Sequence, residues 1–184
     1  MDLNKLSEPL TIDQIDFRVQ SVNNGGYATI LAYKDARVDM ERLDRVVGRG
    51  FWQRKQEFKN NRLFCSVGIY NKELKEWVWV EDVGVESNAE AEKGQASDAF
   101  KRACFNLGIG RELYDYPVMQ IKLNDDEWQR SPRPKASWGL KLKEWRWYTE
   151  FEGEKLSFIA AKDQAGRVRF KWGEMKPKNT EEKQ

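Results

Sequence analysis

Apolar and polar positions alternate through FRVQSV and YATILAY, two β-branched and aromatic runs either side of NNGG, whose Asn and Gly residues accept positive φ; the pattern predicts a β-hairpin from Phe17 to Tyr33. The period then lengthens. Met40, Leu43, Val46 and Val47 fall at helical spacing and Gly48 follows as a left-handed cap, so a short amphipathic helix is expected from Ala36 to Val47. FWQRKQEF, RLFCSVGIY and WVWVEDVGV return to strand patterning, joined at KNN and NKELKE, and predict a three-stranded antiparallel meander. Ser87 and Glu90 have capping-box spacing, and Ala96, Ala99, Phe100, Ala103 and Leu107 recur on one helical face before Gly108, which predicts a long helix from about Asn88 to Leu107. Its small residues Ala91, Gly94 and Ala99 permit close approach to a sheet or a neighbouring subunit. Lys101 and Arg102 fall off the apolar stripe, in the half of the helix where cations suit the dipole.

Beyond Tyr116-Pro117 the pattern weakens, and DDEWQRSPRPKASWG has the polar, Pro-containing composition of a linker. EWRWYTEF, KLSFIAA and RVRFKW follow as three further strand-like runs, and MKPKNTEEKQ reads as a disordered tail. The expected architecture is α+β: hairpin, helix, three-stranded meander and long helix in a core domain over residues 1–125, with a small basic, Trp-rich β extension over 126–184.

Composition narrows the chemistry. The chain has 184 residues with 40% hydrophobic content and no apolar run near the roughly twenty residues a bilayer span needs, and its start lacks signal-peptide shape. A soluble cytoplasmic protein is expected. Histidine is absent, which removes the usual imidazole base, the triad arrangements and the commonest metal ligand. Two cysteines, Cys65 and Cys104, make neither a disulfide framework nor a Cys-rich zinc site. The net charge of +2 hides an asymmetry: Trp128 to Gln184 holds 14 Lys/Arg against 8 Asp/Glu, so a +6 segment follows a −4 body. Such a segment suits an anionic partner, and equally a solvated basic face.

Cations beside aromatics point to nucleic acid, and to single strands in particular, because guanidinium and ammonium groups neutralise phosphates while ring faces stack bases. Phe51-Trp52 stands with Arg54 and Lys55, Trp145 and Trp147 flank Arg146, and Phe170 and Trp172 alternate with Arg169 and Lys171. The same residues fit amphipathic strands whose rings fill a core. No phosphate-loop string exists, and the glycines near the long helix lack the strand-to-loop context of a dinucleotide fingerprint. For a metal-dependent nuclease the triplets at Glu57, Glu73 and Glu174 and the pair Glu81-Asp82 supply carboxylates, but such triplets arise by chance in a chain with 34% charged residues. Glu73 and Lys75 read as turn residues, and Glu81-Asp82 as a polar edge or an intersubunit ion pair.

The order of elements, together with EDVGVES and KGQASDAFKRACFNLGIGRELY, resembles the Rad52 superfamily of single-strand annealing proteins, and more closely its phage members of the Sak type. The residues carrying it are Glu81-Asp82-Val83-Gly84, Lys93, Ser97-Asp98, Lys101-Arg102-Ala103 and Leu107-Gly108, with weaker likeness at Leu6 to Pro9, Ile15 to Val19 and Arg37-Val38. It covers about Leu6 to Pro117. The resemblance implies protomers assembled into a ring or helical filament, with single-stranded DNA in a basic groove, phosphates inward and bases outward, and no need for ATP or another cofactor. It also implies that Lys101 and Arg102 line the groove and that Arg18 on the hairpin clamps from the other side. Where the eukaryotic branch often has a further Arg on the long helix this chain has Cys104-Phe105, a departure for which Arg111 is a candidate compensation. Without the resemblance the basic pair reads as a solvated helix face.

The function expected from these readings is ATP-independent, non-enzymatic binding and annealing of single-stranded DNA in homologous recombination, in a phage or prophage setting. The nucleic-acid-binding candidates are Lys101, Arg102, Arg18, Arg111, Arg54, Lys55 and Lys93. A host single-strand-binding protein or a phage exonuclease is the candidate protein partner. The alternatives are a metal-dependent nuclease and a monomeric single-strand-binding module without annealing activity.

Overall fold

A computed structural model describes residues 2–85 and 91–175. The elements in chain order are β1 (Asp16–Val22), β2 (Tyr27–Tyr33), α1 (Ala36–Val46), β3 (Trp52–Lys59), β4 (Arg62–Asn71), β5 (Glu76–Val83), α2 (Ala91–Asn106), β6 (Met119–Lys122), β7 (Trp128–Gln129), β8 (Lys135–Ala136), β9 (Arg146–Glu152), β10 (Lys155–Lys162) and β11 (Val168–Gly173). The fold is α+β with antiparallel sheets, as the hydrophobic pattern predicts. Contacts divide the chain into two compact units, each discontinuous in sequence: Met1–Leu10 with Lys34–Arg111, and Thr11–Tyr33 with Glu112–Gln184. The linker-like stretch around Asp125 lies inside the second unit, between β6 and β7.

In the first unit β3, β4 and β5 form the expected meander. Asn60 and Asn61 turn the chain between β3 and β4 with φ of 50° and 59°, a conformation Asn tolerates better than other residues with a Cβ. The side chain of Asn71 accepts the backbone N–H groups of Glu73 and Leu74 at 2.9 and 3.1 Å, so Glu73 and Lys75 do sit in a turn. Leu63, Cys65, Val67 and Ile69 of β4 alternate onto one buried face, and the last three share a core with Ala99, Phe100, Ala103 and Cys104 of α2 and Leu43 and Val47 of the α1 segment. α2 ends one residue before the predicted Leu107. Gly108, at φ 102°, donates to the Phe105 carbonyl at 2.9 Å while Ile109 donates to Cys104 at 3.2 Å, closing a left-handed cap. The predicted start at Asn88 and its Ser87/Glu90 box lie outside the described residues. Arg42, buried in α1, donates to the carbonyls of Lys5, Leu6 and Glu8 at 3.1, 3.3 and 2.7 Å and so ties the N-terminal segment to this unit.

The second unit holds the predicted hairpin, whose β2 also pairs with β6, the β7–β8 ribbon, and a sheet in the order β11-β10-β9. Its core draws Val22, Ala28 and Ile30 of the hairpin together with Met119, Ile121, Trp128, Trp145, Leu156 and Ile159. Phe17 stacks on Trp147 with centroids 3.6 Å apart, and Gly26, at φ 74°, sits where a Cβ would lie 2.7 Å from the Trp128 ring. Arg169 reaches back from β11 to grip both oxygens of Glu127 at 2.9 and 2.7 Å and the Lys122 carbonyl at 2.9 Å. Burial pushes the Glu127 carboxyl up, but Arg169 and the Asn124 N–H hold it below its ordinary range.

Replacing Arg169 by Met should therefore leave the buried Glu127 carboxylate without its fork and cost about 3 kcal/mol. A fall in the urea midpoint of the full chain checks this, and a midpoint within error of the parent would show the pair to be dispensable.

Candidate nucleic-acid interface

The residues that carry the sequence motif fold into one device at the junction of β5 and α2. Glu81 and Asp82, adjacent in a strand, point to opposite faces of the sheet: Glu81 accepts from Lys59 Nζ and Ser66 Oγ, both at 2.8 Å, whereas Asp82 accepts from Asn106 Nδ2 of α2 at 3.2 Å. Gly84 then passes so close beneath the helix that a Cβ would lie 2.3 Å from the Gln95 carbonyl oxygen and 3.0 Å from the Ala99 Cβ. One turn along α2, Asp98 Oδ2 accepts from the Val85 N–H at 3.0 Å and from Arg102 Nε at 2.9 Å. The acidic-Asp-Val-Gly run and the Asp-x-x-Lys-Arg run are thus two halves of one clasp.

This geometry separates the basic pair. Arg102 leans to the β5 side, with its Nε committed to Asp98. Lys101, half-buried one residue earlier, faces α1, where its charge acts on Asp35 and Asp39. Asp39 is fully buried and bonded by Lys34 Nζ; burial pushes its carboxyl up to about 6 against the pull of Lys34 and Lys101. Arg54, on the α2-facing side of β3, lies exposed over the buried ring of Phe100, 5.0 Å from its centroid, and Gln56 donates to the Ala96 carbonyl at 2.9 Å. Arg111 caps the end of α2, donating to the carbonyls of Phe105 and Asn106 at 3.1 and 2.9 Å, so its guanidinium serves the helix terminus. Arg18 belongs to the second unit and lies over Tyr33 at 5.4 Å. The side chain of Lys93 lies outside the described residues. Burial pushes the Cys65 thiol up to about 11 and the Cys104 thiol higher still, which leaves neither as a thiolate nucleophile.

Lys55, the neighbour of Arg54, projects from the other face of the sheet, 4.4 Å above the Trp79 ring. There Phe51, Tyr70, Trp77 and Trp79 form a chain of ring contacts with successive centroid distances of 6.4, 5.5 and 6.1 Å, and Lys72 lies 4.1 Å over Phe51. Gly68 makes room for it, because a Cβ there would meet the Trp79 ring at 2.9 Å. Sequence reading singled out Phe51 and Lys55 but missed Tyr70, Trp77, Trp79 and Lys72. The period-two spacing of Trp77 and Trp79 in WVW is the signal that places both on one face.

The carboxylates proposed for metal chemistry do not converge. Glu57 and Glu81 share Lys59, at 3.6 and 2.8 Å, while Asp82 is on the opposite face with Asn106. Among the described residues no three His, Cys, Asp or Glu side chains are grouped as a metal site.

Two outcomes follow from this geometry. Gly84→Ala should force α2 away from β5 and lower stability by about 1–3 kcal/mol, a change readable in thermal unfolding; unchanged stability would mean the helix yields without cost. Asp39 has a raised folded-state value, so the folded chain takes up this proton at higher pH than the unfolded chain does. Its contribution to stability is therefore greatest below the ordinary carboxylate value and is lost as pH rises through about 6. Chemical denaturation of the parent and of Asp39→Asn between pH 5 and 7 should show that slope in the parent and a flatter one in the variant.

Comparison with known proteins adds a family to this geometry. Residues 3–131 match the model of the Rad52/22 family double-strand break repair protein. The single-stranded DNA-binding protein DdrA of Deinococcus radiodurans is 32% identical over 128 residues, covering 62% of this chain and 60% of that protein. DdrA of Deinococcus deserti is 28% identical over 132 residues, covering 62% of each. The matches therefore span somewhat under two thirds of these relatives' length. Since the family match takes in both helices, the three-stranded meander and the β5–α2 clasp, the chain belongs to the Rad52/22 family.

Proposed function

We propose that this protein binds single-stranded DNA and anneals complementary strands in homologous recombination and repair, without ATP and without bond chemistry. The observation that carries the reading is the clasp: the family motif holds α2 against the sheet with Lys101 on its flank, beside a Phe100 ring overlaid by Arg54. Family membership and the likeness to DdrA, a single-stranded DNA-binding protein, support single-stranded DNA as the ligand. Lys101 and Arg54 hold phosphates by charge, a mode indifferent to base sequence that leaves the bases free to pair. Arg102 contributes from its Asp98 anchorage, and Lys55, Lys93 and Arg18 are further contacts in this reading. Assembly into a ring or filament, a phage or prophage setting in a bacterial cytoplasm, and contact with a host single-strand-binding protein or an exonuclease complete it.

The test is annealing of two complementary oligonucleotides with no ATP or metal, alongside binding measured over a range of salt. Lys101→Ala should weaken binding by about tenfold and reduce the salt slope by roughly 0.7 for the lost phosphate contact. Arg102→Ala should lose more stability than Lys101→Ala, because it also undoes the Asp98 clasp. Intact protein that binds but does not anneal, with a monomer mass in solution, would establish the coating-module alternative; cleavage dependent on Mg²⁺ would establish a nuclease.

A further inference from the structure

Trp138 is the most exposed large apolar side chain among the described residues, at 92% of its full accessibility. It is held out by its neighbours. The Leu140 N–H donates to the Ser137 carbonyl at 3.2 Å, closing a turn with Trp138 and Gly139 at its corners. Ser137 is fastened on both sides: its N–H donates to the Glu127 carbonyl at 2.9 Å, and its hydroxyl donates to the Asp126 carbonyl while accepting the Gly139 N–H at 3.2 Å. Gly139 presses on that same Asp126 carbonyl, and a Cβ there would lie an impossible 2.2 Å from the oxygen. The indole is therefore presented by a pinned turn.

Its own segment of chain is cationic, with the Asp126 carboxylate the acid beside Gly139. From Gln129 to Lys143 the chain contains Arg130, Arg133, Lys135, Lys141 and Lys143, all exposed, and no Asp or Glu. None of the five is in an ion pair among the described residues. A shallow open recess of about 400 Å³ lies beside the indole, lined by Gln129, Lys135, Ala136, Ser137 and Trp138. A protein-docking site would call for an apolar core around the ring, and of the residues lining this recess only Ala136 and Trp138 are apolar. A stacked base needs one free ring face and cations within reach of its phosphates, and both are present.

We propose that the pinned Trp138 turn is a strand-binding site in its own right: one base of a single-stranded nucleic acid stacks on the indole while Arg130, Arg133 and Lys135 meet the flanking phosphates. The site rests on the single-strand binding proposed above, and it lies in the unit that does not contain Lys101. It extends the contact surface beyond residue 131, where the family match ends.

The test is titration of a labelled thirty-nucleotide oligo-dT with the full chain by fluorescence anisotropy. Trp138→Ala removes a solvent-exposed ring and should leave the fold unchanged by circular dichroism while weakening binding about fivefold to one-hundredfold. Trp138→Tyr should restore most of the affinity. Arg133→Ala/Lys135→Ala should lower the salt slope by about 1.4, for two phosphates. If Lys101→Ala weakens binding and Trp138→Ala does not, the turn is off the strand and this inference falls while the proposed function stands. If the intact chain does not bind oligo-dT, both fall. Unchanged oligonucleotide affinity together with Trp138-dependent binding of a labelled Glu/Phe peptide would reassign the turn to an acidic polypeptide and overturn it.

Discussion

The approach of α2 to the sheet at Gly84 is the constraint from which the candidate interface follows. A side chain of even one carbon at that position would collide with the Gln95 carbonyl, so the helix rests on the chain leaving β5 at backbone distance. That closeness brings Asp98 within reach of the Val85 N–H, and the same carboxylate then takes Arg102. With one residue of the basic pair engaged on the β5 side, the 100° step of a helix carries the other toward α1. Two adjacent cations therefore have different surroundings, and different consequences when removed.

The cations of this chain fall into groups with different physical employment. Arg42, Arg111 and Arg169 use their forked donors on backbone carbonyls or on a buried carboxylate, where they satisfy polar groups that burial would otherwise leave without partners. Lys55 and Lys72 lie over aromatic rings on the outer face of the meander. The cations of the Trp138 turn are exposed and make no ion pair among the described residues, with Arg130 lying over the Trp128 ring. A count of Lys and Arg treats all of these alike, although the first group spends its donors inside the fold.

The second unit shows why a weak local pattern is a poor guide to independence. DDEWQRSPRPKASWG has few apolar residues, yet Trp128 within it packs against Gly26 of the hairpin and Glu127 anchors Arg169 of the last strand. The hairpin and the C-terminal strands bury one core jointly, through Phe17 on Trp147 among other contacts. The hairpin and the C-terminal strands each contribute apolar side chains to that core, and joining them removes both sets from water.

The sequence by itself determined most of the elements, though not the short strands β6, β7 and β8. Periodicity of two and of 3.6 marked the hairpin, both helices, the meander and the last three strands, because most of these segments bury one face and leave the other wet, while β10 buries Phe158, Ile159, Ala160 and Ala161 in succession. Gly48 and Gly108 marked the helix ends, where only a residue tolerant of positive φ closes the cap. The motif around Asp82 and Lys101 was legible as well, since its residues are contiguous and their spacing is helical. Tertiary structure decided how the charges are used. That Arg111 caps a helix, that Arg102 is bonded to Asp98 while Lys101 is not, and that Arg54 and Lys55 serve opposite faces depend on partners supplied by other elements. It also decided the grouping of the hairpin with the C-terminal strands and the exposure of Trp138, which shares its residue type with the buried Trp128 and Trp145. An indole's sequence neighbours say how often it recurs on a face; only the assembled core settles whether that face has anything left to cover it.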